Sequence, residues 1–76
     1  MKSVHLEVHY VPTGRMIVSG KPLTDQKHID ILTNTVREAS AGRMNYVSLT
    51  NKFNEEVTIG KILIEQCSFT IVTLGK

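Results

Sequence analysis

One stretch of this chain, Thr24 to Gly42, carries a helical repeat, and the segments on either side alternate with the period of a β-strand. Within that stretch Ile29, Leu32, Val36 and then Ala39 or Ser40 recur at helical spacing and form one apolar stripe. Asp25, Lys27, Asp30, Asn34, Arg37 and Glu38 fill the remaining surface. Thr24 reads as the N-cap, with Asp25 in the first turn facing the positive end of the helix dipole. Ala41-Gly42 reads as the C-cap, because glycine enters the left-handed region without steric cost. Thr33, Thr35 and Val36 are weak helix formers, so this helix depends on packing against a sheet rather than on propensity.

The strands follow from period-two patterning. From Val4 to Val11, the residues Val4, Leu6, Val8 and Tyr10 fall on one face and His5, Glu7 and His9 on the other, the mark of a half-buried antiparallel strand. Pro12-Thr13-Gly14 is turn chemistry, and Arg15 to Ser19 reads as the return strand of a hairpin closed by Gly20-Lys21-Pro22. Asn45 to Asn51 places Val47 and Leu49 inward; Lys52 to Glu55 is a hairpin loop; Glu56 to Ile59 returns with Val57 and Ile59 inward. Lys61 to Cys67 fits either a strand or a single helical turn. Phe69 to Leu74 is the last strand, and both of its faces are partly apolar, which suits a central strand or a subunit interface. The fold class is therefore α+β. A hairpin, one helix and a three-stranded antiparallel meander are expected, with the helix on one face of a small sheet. The other face is expected to carry His5, Glu7, His9, Tyr46 and Ser48 together with Ile17, Val72 and Leu74.

Seventy-six residues make a single domain, 1–76, with little apolar surface to bury, and such chains commonly need a staple. Cys67 is the only cysteine, so an internal disulfide is impossible and a zinc site built on cysteine pairs is excluded. Oligomerisation is the staple that remains. With no tryptophan and only two Phe and two Tyr, the core must be Val, Ile and Leu. A lone thiol and no apolar signal core near the start point to the cytoplasm, and no apolar run reaches the length of a membrane span.

No constellation carries specific chemistry. His5, Glu7 and His9 share a strand face, but residues two apart sit about 6.6 Å apart and residues four apart about 13 Å, too far for both imidazoles to reach one ion from one strand. They read as a solvated polar face. Cys67 lies in an apolar stretch and reads as a structural thiol rather than a nucleophile. His28, in the helix's first turn, reads as an exposed neutral side chain. The glycines form no phosphate-binding pattern. No catalytic residue, metal or cofactor is expected.

Net charge is +2, and the basic residues are spread along the chain. Arg15, Lys21 and Lys27 are the candidate binding residues, on the expectation that the first hairpin and the helix start lie side by side and make an anion-facing edge. In size and economy the chain resembles the small accessory proteins of bacteriophages and prophages. The function expected is a non-enzymatic protein-binding or regulatory module that partners itself as a homo-oligomer and binds another protein. The alternatives are a nucleic-acid binder using the basic edge and a nucleotide-like small-ligand binder with a pocket between subunits; no membrane partner is expected.

Overall fold

The computed structural model describes residues 2–75; Met1 and Lys76 lie outside the described residues. In chain order the elements are β1 (Ser3–Tyr10), β2 (Arg15–Ser19), α1 (Gln26–Ser40), β3 (Tyr46–Thr50), β4 (Glu56–Gly60), α2 (Lys61–Glu65) and β5 (Cys67–Leu74). They form a small α+β structure with two antiparallel sheets, one of order β2-β1-β5 and one of β3-β4, and one main helix.

The alternation of β1 sets the core. Val4, Leu6 and Val8 are buried, while His5, Glu7 and His9 are half-buried on the opposite face. Val18 from β2, Ala39 from α1, Val47 and Ile59 from the β3–β4 hairpin and Ile64 from α2 close over that inner face as one cluster. Leu32, Val36, Leu49, Val57, Cys67 and Phe69 pack around it half-buried. The hairpin is tied to the first sheet by backbone bonds at the end of β2. The Lys21 N–H donates to the Thr50 carbonyl at 2.8 Å, and the Lys52 N–H to the Ser19 carbonyl at 3.0 Å. Gly20 sits at this junction for a steric reason: a Cβ there would lie 3.1 Å from the Leu6 carbonyl oxygen and 3.3 Å from its nitrogen.

The backbone phase of β1 is legible from its ends. The Gly20 N–H donates to the Leu6 carbonyl at 2.7 Å, and Val4 and Leu23 exchange bonds of 2.8 and 2.7 Å, so the even residues of β1 turn their backbone groups towards β2. The Val11 N–H donates to the Gln66 carbonyl at 3.0 Å, so the odd residues turn theirs towards β5. With the uninterrupted register His5↔Val72, Glu7↔Thr70 and His9↔Ser68, it is Ser68, Thr70, Val72 and Leu74 that bond to β1. The alternate residues Cys67, Phe69, Ile71 and Thr73 direct their N–H and C=O groups to the far edge.

Three sequence expectations are corrected. β5 does not extend a meander beside β4; it pairs antiparallel with β1 over all eight residues. β4 has only five residues to offer, and α2, with Ile64 buried, carries the chain across the core to the longer partner. The segment from Lys61 is a helical turn to Glu65, and β5 begins at Cys67, two residues earlier than the pattern suggested. Tyr46 and Ser48 belong to the second sheet and do not share the face of His5, Glu7 and His9.

The helix N-cap is Asp25 rather than Thr24: its backbone is extended and its carboxylate accepts the Lys27 N–H at 3.3 Å. The other end matches expectation in full. Gly42 takes φ 76°, its N–H reaches the Ala39 carbonyl at 3.1 Å, and the Arg43 N–H reaches the Glu38 carbonyl at 3.0 Å, the paired bonds of a Schellman turn. The Arg43 guanidinium also meets the Glu38 carboxylate at 2.8 Å, where such turns more often hold an apolar contact. Thr33 and Thr35 return their hydroxyls to the Ile29 and Ile31 carbonyls at 2.9 Å each, which satisfies them inside a helix they do not favour.

Leu6 is 2% exposed and fully enclosed, whereas Leu32 is half-buried at the edge of the core. Leu6→Ala is expected to destabilise by about 3 kcal/mol and Leu32→Ala by about 1–2 kcal/mol, read as denaturant midpoints at unchanged m-value. Equal losses would mean that Leu32 is as enclosed as Leu6.

Candidate functional site

The most distinctive surface is the outer edge of β5. Its sequence, Cys-Ser-Phe-Thr-Ile-Val-Thr-Leu, contains no charged residue, no proline and no glycine. Its pairing with β1 has no bulge. Among the described residues, none of the backbone hydrogen bonds outside the helices and ladders involves residues 67–75. The N–H and C=O groups of Cys67, Phe69, Ile71 and Thr73 therefore form an unpaired row about 20 Å long. Such rows are templates for another strand, and proteins ordinarily blunt them with charge, proline, bulges or brevity. The three other edges are shorter or interrupted. β2 has a register shift between Val8 and His9 and carries Arg15; β3 is five residues long and is tied at its end by the Lys21 N–H on the Thr50 carbonyl; β4 is five residues long and begins with Glu56.

The open face of the β2-β1-β5 sheet adjoins this edge. Here Glu7 stands between two imidazoles. His5 Nε2 is 3.2 Å from one carboxylate oxygen and His9 Nε2 is 3.9 Å from the other. The His5 side chain is 11% exposed, and its Nδ1 is buried without a hydrogen-bond partner. The row is a carboxylate bracketed along one strand, not a convergent ligand set: among the described residues no group of three His, Cys, Asp or Glu could hold a metal ion. Across the ladders the row meets Ser68, Thr70 and Val72 on one side and Met16 and Ser19 on the other, with Leu74 exposed at the end.

The basic residues singled out by the sequence do not form one edge. Arg15 pairs with Tyr10 at one end of β1, while the segment after β2 reaches Val4 at the other end through Leu23. Six residues of nearly extended chain, about 20 Å, separate Arg15 from Lys21. Lys21 donates to the Asn54 side chain at 3.3 Å, so it joins the linker to the β3–β4 loop. Lys27 follows the Asp25 cap, and that carboxylate already occupies the anion position at the helix N-terminus.

A second feature was not read from the sequence at all. An open groove of about 510 Å³ lies between α1 and β3, with Leu6, Leu23, Leu32, Val47 and Leu49 among its apolar lining and Lys21, Asp25 and His28 among its polar lining. His28 Nδ1 lies 3.4 Å from the Asp25 carboxylate, both side chains being exposed. No sequence signal announces such a groove, because it arises where the helix and the hairpin diverge.

No family model matches this sequence, and comparison with curated proteins and with solved structures finds no relative for it.

Cys67 opposes Tyr10 on the inner face of the sheet, away from the face that carries His5 and His9, and burial pushes its thiol up from the usual range. The thiolate is the reactive form, so alkylation of Cys67 by iodoacetamide near neutral pH is expected to be several-fold slower in the native protein than in denaturant. Equal rates would place the thiol at an exposed, unperturbed site.

Proposed function

We propose that the protein is a non-enzymatic protein-binding module that works as a homo-oligomer. One observation carries this reading: the uncharged, unbulged and unpaired edge of β5, eight residues long, in a chain whose other edges are shorter or interrupted. A sheet edge of that kind binds by main-chain hydrogen bonds, and alternate side chains supply selectivity. The size of the core supports the same reading. Among the described residues eight apolar side chains are buried, and the single cysteine provides no staple, so added burial in an assembly stabilises the fold. A catalytic role finds no support in the arrangement, since the one thiol and the two sheet imidazoles lie on opposite faces. A nucleic-acid role is not favoured either, because Arg15 stands apart from Lys21 and Lys27.

The groove beside α1 favours a second reading, binding of a small amphipathic ligand within one subunit. Native mass measurement discriminates the two. For the first reading the mass is a whole multiple of 8.5 kDa and the melting temperature rises with protein concentration. A single-chain species with concentration-independent melting overturns it, and a retained small molecule on that species supports the second.

A further inference from the structure

We infer that the open edge of β5 is a self-recognition site, paired antiparallel with β5 of a second copy about a two-fold axis at Thr70. The inference rests on the homo-oligomeric reading above and names its interface, its register and its stopping point.

The register follows from the backbone phase. The outward-facing residues of β5 are Cys67, Phe69, Ile71 and Thr73, and the midpoint of that set is Thr70. A two-fold antiparallel pairing matches outward residues with outward residues, so its axis can fall on any residue of the strand. Only an axis at Thr70 pairs all four within the strand, Cys67 with Thr73 of the second copy and Phe69 with its Ile71. An axis at Phe69 or Ile71 shifts the pairing by two and leaves an outward residue opposite α2 or the chain end.

The side chains agree with this register. Phe69 against Ile71 is an aromatic and β-branched cross-strand pair on the face that carries the core, and both residues are half-buried. Thr70 meets its own symmetry mate on the open face, and Ser68 meets Val72. The chain carries a net charge of +2, but none of that charge lies in the strand, so no like charges oppose each other at the axis. The paired sheet has the order β2-β1-β5-β5-β1-β2. It ends on both sides at the bulged β2 edge, so association closes at two copies instead of propagating as a fibre.

Sedimentation equilibrium on the full chain and two variants tests this. The wild type is expected at twice 8.5 kDa. Thr70→Lys sets two ammonium groups opposite each other at the axis, while within one copy it faces Glu7 on the exposed side of the sheet. It is expected to give the single-chain mass with an unchanged far-ultraviolet circular dichroism spectrum. In a Cys67→Ser background, Thr70→Cys is expected to yield a disulfide-linked dimer under mild oxidation. The Cα atoms of a non-hydrogen-bonded pair lie about 4.5 Å apart, within the span of a disulfide. Thr58→Cys on β4, in the same background, is expected to stay unlinked. A monomeric wild type overturns both this inference and the homo-oligomeric reading. A dimeric wild type that Thr70→Lys leaves dimeric, or whose thiol at position 70 fails to cross-link, overturns the interface alone. If the lysine variant does not fold, the cross-link decides.

Discussion

The structure depends on β1. Among the described strands it alone is hydrogen-bonded along both edges, to β2 on one side and β5 on the other, and its Val4, Leu6 and Val8 side chains are at most 3% exposed. Both properties come from one alternating octapeptide. Because the backbone phase and the side-chain phase of a strand are coupled, the odd residues that bond to β5 also present His5, Glu7 and His9 to the open face. The polar row is thus a consequence of the same alternation that builds the core. On that row a carboxylate stands between two imidazoles.

The remaining elements close the inner face from different directions. The β3–β4 hairpin contributes Val47 and Ile59, and Asn51 shapes its loop: the side-chain oxygen accepts the N–H groups of Phe53 and Glu55 at 2.9 Å each. The helix contributes Ala39 as its one buried residue, with Leu32 and Val36 half-buried beside it. That modest engagement leaves the groove between α1 and β3 open. The helix is instead secured at its ends, by the Asp25 cap and by the Gly42 turn with its Arg43–Glu38 pair. Helix termini leave unpaired backbone groups, and satisfying them locally reduces what packing must supply.

Burial at the β5 edge and exposure of its backbone are separate matters. Phe69 and Ile71 are half-buried by the core below them, yet the N–H and C=O groups of the same residues lie along a free edge. A strand that is partly apolar on both faces and carries no charge suits the middle of a sheet or an interface. The chain on its own places it at the margin of the sheet. The proposed pairing returns it to the middle.

The sequence by itself determined the local structure. Alternation over residues 3–10, turn chemistry at Pro12 to Gly14, the apolar stripe of α1 and the Gly42 cap are short-range properties, and each was legible because its physical cause lies within a few residues. The helix start moved by one residue, from Thr24 to Asp25, because both side chains can cap and only the packed geometry selects one. What the tertiary structure decided was partnership. Nothing local distinguishes pairing of β5 with β4 from pairing with β1, since a strand's side-chain pattern is the same for either neighbour; the eight-residue match to β1 and the crossing made by α2 settled it. The same long-range choice separated Arg15 from Lys21 and Lys27, opened the groove beside α1 and left the long, uncharged edge of β5 unpaired. Surfaces made of residues distant in sequence exist only after strand order is chosen, and strand order is decided by competition among whole strands for one another's edges.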